Sequence, residues 1–255
     1  MCKMRLIIRA DDIGYSEAVN YGIEKSVKEG LIRSAGLMPN MDAAAHGIKL
    51  LEGTGVCIGQ HTNICLGKPC ADPKRIPSLL DENGKLKSSR SYREAWKKGE
   101  EFTVLEEMIL EVEAQYFRFK ELVGKEPGYF EGHAVMSKNL GTALEIVAQK
   151  YGLRYIKTNI DTFECCFDGK AIACAPLNCM APDYDPWHDL KEAVLHGCRD
   201  IPNMFVCHPG YIDYDLLQSS SLTLNRAKEV AMLTDQEMHR WLDGQDVELI
   251  TYDDI

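Results

Sequence analysis

The chain has 255 residues, 45% of them hydrophobic and 27% charged, with a formal net charge of -10. That length suits a single α/β core of the barrel kind, and the composition is that of an ordinary globular protein with no long disordered stretch. The acidic balance argues against a nucleic-acid or anionic-membrane partner, because gripping phosphates takes a clustered basic face; a neutral or cationic ligand is favoured.

Residues 5–9 alternate as a buried strand, after which Ser16 caps a helical pattern with Val19, Ile23 and Val27 at helical spacing and Gly30 as the stop. Ser34 to Met38 reads as a second strand, ended by Pro39, and Met41 to Leu51 as a helix with Ala45, Ile48 and Leu51 on one face. Val56 to His61 is a third strand. From Gly67 to about Lys98 the pattern lapses into Pro, Gly, Lys and Ser, longer than an ordinary connection, which suggests a lid or binding loop. Thr103 to Leu122 is a long amphipathic helix stopped by Gly124, and Tyr129 to His133 the next strand. A helix over 140–151, a strand from Leu153 to Lys157 and a second irregular insertion from Asp161 to Pro186 follow. Helix 187–196, strand 204–207, two helices between Leu222 and Leu242 and a strand from Val247 to Thr251 complete the order. Strands alternating with helices call for a parallel sheet, and about seven such units fit a barrel, irregular or incomplete, better than a flat sheet. The expectation is one domain over 1–255 with lid-like insertions near 67–98 and 161–186.

Ten cysteines are present, but Cys165 and Cys166 are adjacent and the rest scattered without a CxxC pair, so free thiols in a reducing compartment are expected. The opening Met1-Cys2-Lys3-Met4-Arg5 runs straight into a short strand and offers neither a signal-peptide core nor a membrane span. A cytoplasmic protein is expected.

Asp11 and Asp12 stand directly behind Leu6-Ile7-Ile8, and His61, His133 and His208 each close a strand-like run. Side chains at the ends of separate strands converge on one rim of a barrel, where such folds keep their chemistry. Neighbouring carboxylates on a strand point opposite ways, but where the strand ends and the chain turns at Gly14 both can face one cavity, one binding a cation and the other free as a base. The plainer reading makes Asp11 and Asp12 caps for the helix at Ser16; two such acids would repel each other without a cation. A lone histidine at His61 or His133 is more often a hydrogen-bonded structural residue. As a set, two imidazoles and a carboxylate match a hydrolytic metal site with open positions, and mixed nitrogen and oxygen donors admit zinc, magnesium, manganese, cobalt or nickel. His208, in Cys207-His208-Pro209-Gly210, suits an acid that reaches a leaving group, or a histidine that stabilises the turn. His46, His188, His196 and His239 fall in helical patterns and read as surface or packing residues. Asp213, Asp215, Arg226 and Glu229 read as helix-surface pairs more readily than as support for the site. Tyr15, Tyr184, Trp187 and Tyr211 lie near loops that flank it, and aromatic faces suit a sugar, though each singly is more often packing.

At Arg9-Ala10-Asp11-Asp12-Ile13-Gly14, Ile58-Gly59-Gln60-His61 with Leu66-Gly67-Lys68-Pro69, Gln115-Tyr116-Phe117-Arg118-Phe119 running into Glu131-Gly132-His133, and Cys207-His208-Pro209-Gly210-Tyr211-Ile212-Asp213, the chain resembles the YdjC-like carbohydrate deacetylases. The resemblance implies an irregular (β/α) barrel related to the polysaccharide deacetylases, a bound divalent metal ion (Mg2+ or Zn2+) and an acetylated carbohydrate substrate. By position it implies Asp12, His61 and His133 as metal ligands, Asp11 as catalytic base and His208 as catalytic acid, and it adds the expectation of a homodimer. The family usually has Asp-Ser-His followed by further histidines; here Glu131-Gly132-His133-Ala134-Val135-Met136 lacks the later imidazoles, and Ile13 replaces an aromatic, departures that bear on substrate choice.

The implied reaction is hydrolysis of an N-acetyl group on an amino sugar, with Asp11 taking a proton from water and His208, held as imidazolium by nearby acids, protonating the departing amine. Two rivals stay open at this level. Two histidines and a carboxylate also make the facial triad of non-haem iron oxygenases, and a sugar- or metal-binding protein without turnover would explain the missing imidazoles.

Overall fold

The computed structural model describes residues 3–158 and 164–255. The chain opens on β1 (Met4–Ile13), α1 (Glu17–Lys28), β2 (Ser34–Leu37), α2 (Ala44–Leu50) and β3 (Cys57–Thr62). Two 3-10 turns, Pro73–Arg75 and Pro77–Leu79, lead to α3 (Ser89–Lys98), α4 (Leu105–Val123), β4 (Phe130–Gly132), α5 (Lys138–Tyr151) and β5 (Ile156–Thr158). A hairpin of β6 (Cys165–Phe167) and β7 (Lys170–Cys174) precedes α6 (Pro186–Leu195), β8 (Asn203–Cys207), α7 (Tyr214–Ser219), α8 (Leu224–Leu233), α9 (Gln236–Asp243), β9 (Val247–Leu249) and a last 3-10 turn, Tyr252–Asp254.

Among the described residues the strands form one sheet in the order β4-β3-β2-β1-β8-β7-β6-β5, with β9 paired to the first residues of β1. The pairing is parallel except around β6, which runs against both β5 and β7. A parallel bridge between Phe130 and Tyr155, with Phe130 N–H donating to Arg154 O at 2.9 Å, joins the two ends of that order. The result is the nearly closed, irregular α/β barrel expected from the alternation of strands and helices. No described helix is long and apolar enough to cross a membrane.

The strand β1 shows how sequence sets the two sides of the wall. Leu6, Ile8 and Ala10 face outward into a core shared with Val19, Ile23 and Val27 of α1, while Ile7 faces inward. Each of the leucine, isoleucine and valine side chains, fully buried, contributes about 1.5–3 kcal/mol. The helix α1 begins where Ser16 Oγ accepts from Val19 N–H at 3.2 Å, with Glu17 in its first turn and Lys25 and Lys28 in its last, as the helix dipole favours. Inside the barrel Tyr129 stacks on Tyr252 with ring centroids 4.1 Å apart, and Arg9 lies over the Tyr129 ring. Gly59 makes room for that ring: a Cβ there would run into it.

Three stretches differ from the sequence reading. The segment 67–98 is not irregular throughout, since it holds two 3-10 turns and ends in α3; only Tyr92 and Ala95 of α3 are buried, so its apolar signal is faint. Its start is pinned by Glu111 of α4, which accepts from Cys70 N–H at 2.9 Å and Ala71 N–H at 2.8 Å. In the stretch 161–186, residues 161–163 lie outside the described residues, and β6 and β7 occupy 165–174. Asp168 and Gly169, both at positive φ, make the two-residue turn between them, the Asp-Gly pair that such hairpin turns favour. The short helix α7 is a further difference: six residues long with only Leu216 buried, it carries no helical periodicity to read.

Candidate active site

Between Ala10 and Ile13 the register of β1 against β2 shifts, and Asp12 takes φ 78°. A left-handed backbone at a non-glycine residue costs on the order of 1–3 kcal/mol and persists where its surroundings over-determine it. The extra residue of such a bulge re-aims a side chain, so both acids reach His61: its Nε2 lies 4.0 Å from Asp11 Oδ2 and 3.4 Å from Asp12 Oδ1. The convergence arises from a bulge within β1, not from a turn after the strand has ended.

Register does the rest. Ala10 pairs with Cys207, which sets His208 beside Asp11; His61 pairs with Glu131; and His133 N–H donates to Thr62 O at 2.9 Å. Gln115 of α4 holds the turn after His61, accepting from Asn63 N–H at 3.0 Å and donating to Asn63 O at 2.5 Å.

His133 Nδ1 lies 3.2 Å from Asp12 Oδ1 and 2.8 Å from His61 Nε2. Neighbouring donors around a tetrahedral ion with ligands at about 2.0–2.2 Å stand roughly 3.3–3.6 Å apart, so the two sides that meet at Asp12 Oδ1 are close to ligand spacing, while the two imidazoles stand at hydrogen-bond distance and would part by about half an ångström around an ion. Asp12 is fully buried, its Oδ2 accepts from Arg226 Nη2 at 2.7 Å, and its Oδ1 has no hydrogen-bond partner. A buried, unpartnered carboxylate oxygen between two ring nitrogens is what a cation would satisfy. Asp11, His61 and Glu131 also approach one another closely, but there Arg9 already supplies positive charge: its Nη2 is 2.7 Å from Asp11 Oδ2 and 3.5 Å from Glu131 Oε2. Burial opposes charge on His61, but Glu131 and Asp11 outweigh it and raise it well above the ordinary imidazole range, so the carboxylates around the triangle draw positive charge onto it. A divalent metal ion on Asp12, His61 and His133 fits both the donors and the charge.

Burial alone would raise Asp11, but Arg9, His61 and His208 outweigh it and hold its carboxyl below the ordinary range; Arg226 and His133 do the same for Asp12 more strongly. Both are carboxylates at neutral pH. Burial also opposes charge on His133, but Asp12 prevails and lifts it to about 9. For His208 burial wins over Asp12 and Asp11 and pushes it down to about 4. His208 is therefore neutral at pH 7, which corrects the expectation that nearby acids hold it as imidazolium.

Arg226 and Glu229 are not helix-surface residues; at 2% and 0% exposure they form the wall behind the site. Arg226 lies over the Tyr15 ring, 5.1 Å from guanidinium carbon to centroid, and its Nη1 donates to His208 O at 3.3 Å. Glu229 accepts from His208 N–H at 2.5 Å and from the Tyr184 hydroxyl at 2.7 Å, fixing the turn that carries the imidazole. Asp213 caps α7 through Leu216 N–H at 2.9 Å, Trp187 donates its ring N–H to Asp235 at 2.7 Å, and Tyr211 is exposed. Periodicity could not find Arg226 and Glu229, because long charged side chains on a helix usually point to water; their spacing of i and i+3 on one face of α8 was the available signal.

Burial pushes Glu229 up to about 7, against its hydrogen bonds to Tyr184 and His208. Its ordinary value is about 4.3, so between the two the folded state holds more protons than the unfolded one. Its contribution to stability is therefore full at acid pH and lost as pH rises through about 7. Glu229→Gln removes this term, so relative to the wild type it gains about 3 kcal/mol from pH 4 to pH 8 on top of any constant offset. Urea unfolding of both proteins across that range measures the gap; parallel curves would refute the assignment.

The chain matches the family model described as YdjC-like protein over residues 5–244. It is 31% identical to carbohydrate deacetylase 2 of Listeria innocua serovar 6a, over 99% of both chains, and 30% identical to carbohydrate deacetylase of Geobacillus stearothermophilus, over 96% of both. Among solved structures it superposes with a TM-score of 0.78 on a protein of Enterococcus faecalis V583 named, provisionally, for cellobiose-phosphate cleavage, at 23% identity over 99% of this chain and 98% of that one. A family 4 acetyl xylan esterase from Clostridium thermocellum, solved with a cobalt ion, shares the fold at a TM-score of 0.52 and 13% identity, over 98% of this chain and 89% of that one. With the family model spanning most of its length, and a relative above 30% identity covered end to end, the chain belongs to the YdjC-like family.

Proposed function

We propose that the protein is a metal-dependent hydrolase that removes the N-acetyl group of an amino sugar or short oligosaccharide. The observation that carries this is the pairing of a ligand triangle on Asp12 Oδ1 with a separate buried acid, Asp11, whose Oδ1 is also without a hydrogen-bond partner. Names of full-length relatives support the substrate class. Parallel strands around the site fit a hydrolase barrel, whereas facial-triad oxygenases sit on double-stranded β-helices, and the ligand triangle assembles without the imidazoles missing after His133.

Asp12, His61 and His133 would hold the ion, and their mixed donors suit zinc or cobalt. Such an ion supplies Lewis acidity, polarising a carbonyl and making water acidic near neutral pH. Asp11, with Oδ2 held by Arg9, accepts the water proton at Oδ1. His208 begins neutral and relays that proton to the departing nitrogen, because an amine anion is a very poor leaving group. Arg226 keeps Asp12 Oδ2 occupied, so that only Oδ1 faces the ligand nitrogens.

Acetate release from N-acetylated amino sugars and short oligosaccharides tests the reading. Turnover is expected to vanish after chelation and to return with zinc or cobalt, and the melting temperature to rise when the metal is restored. Metal-loaded protein that frees no acetate across such a panel would overturn it in favour of a binding role.

A further inference from the structure

His61 has two ring nitrogens and both are engaged: Nε2 stands 3.4 Å from Asp12 Oδ1, and Nδ1 contacts Glu131 Oε1. An imidazole can sit in its socket in two orientations related by a half-turn about its outer torsion, which is broad and roughly two-fold in energy. The half-turn exchanges each nitrogen with a carbon. The orientation observed is the one that offers nitrogen to Glu131 and to the ligand triangle together.

Glu131 is itself held. It is the direct cross-strand partner of His61, it is 8% exposed, and its other oxygen lies 3.5 Å from Arg9 Nη2. Arg9 is anchored in turn by Asp11 Oδ2 at 2.7 Å and by the Tyr252 hydroxyl at 3.1 Å. One guanidinium thus spans the carboxylate that orients a ligand and the carboxylate read as the base.

We propose that Glu131 is a positioning residue: it receives the Nδ1–H of His61 and thereby presents Nε2 to the cation. This rests on reading Asp12, His61 and His133 as the ligands. The carboxylate also raises the donor strength of Nε2, an effect that outer partners of metal-bound histidines exert generally, and their loss costs about 10- to 100-fold in metal affinity.

The test is Co2+ affinity by competition with a chromogenic chelator, for the wild type, Glu131→Gln and Glu131→Ala, with circular dichroism as the check on folding. The side-chain amide is isosteric and neutral, so Glu131→Gln is expected to stay folded and bind Co2+ about tenfold more weakly, and Glu131→Ala more weakly still. Folded Glu131→Gln that binds within twofold of the wild type overturns the proposal. A wild type that binds no Co2+ overturns the ligand reading itself, so the two failures are separable. Nitrogen-15 NMR of the Zn2+-loaded wild type gives a readout independent of any variant: Nδ1 is expected to carry the proton, and an Nε2–H tautomer at His61 overturns the proposal.

Discussion

Asp11→Asn is expected to lower kcat by about 10²- to 10⁴-fold, the usual contribution of one positioned proton transfer. The neutral amide cannot take a proton from water, yet it keeps the shape of the carboxyl and still accepts from Arg9, whose contact with Asp11 at 2.7 Å is the nearest interaction at risk. Metal affinity should change little, because Asp11 lies outside the ligand triangle. Steady-state kinetics of acetate release beside Co2+ binding would separate the two roles. A variant with near-normal kcat removes Asp11 as the base, and one that loses metal in step with activity moves Asp11 into the ligand set.

The second large effect is expected at Arg226. The residue is 2% exposed, and its guanidinium meets fully buried Asp12 at 2.7 Å and also donates to the carbonyls of Leu222 and His208. Removing one member of a buried ion pair leaves an uncompensated charge and typically costs about 3–5 kcal/mol. Arg226→Met keeps the unbranched aliphatic stem but loses the guanidinium that lies over Tyr15 and meets Asp12, so it should report that loss as a fall in the denaturation midpoint of the protein kept free of metal. Adding Asp12→Asn removes the stranded charge, so the double variant should be more stable than Arg226→Met alone. Strict additivity in the double-mutant cycle would mean that the pair is not coupled as described.

These two substitutions probe different halves of one arrangement. Arg9 holds one oxygen of Asp11 and Arg226 one oxygen of Asp12, and in each acid the other oxygen is left without a hydrogen-bond partner. The guanidiniums keep both carboxyls ionised in a site where burial would favour their protonated forms. The same burial, unopposed by a hydrogen bond at Nδ1, leaves His208 neutral. Two acids and an imidazole on adjacent strands are set to different protonation states by what lies behind them.

Much of this was legible in one dimension. The apolar run ahead of Asp11, the cap at Ser16 and the strand-closing histidines follow from local rules: alternation sets which side of a strand faces the core, and an unpaired helix N-terminus calls for a hydroxyl. Those rules act over a few residues, so they can be read from a few residues. The bulge that turns Asp12 toward His61, the pairing of Arg9 with Glu131 across a sequence separation of 122, and that of Asp12 with Arg226 across 214 belong to another class. Sequence alone determined the alternating strands and helices, the acid pair and the three imidazoles at strand ends. Only the tertiary structure decided which oxygen of each acid is free, which nitrogen of His61 faces inward and which charges stand behind them, because long-range pairing and burial depend on where the rest of the chain closes the barrel.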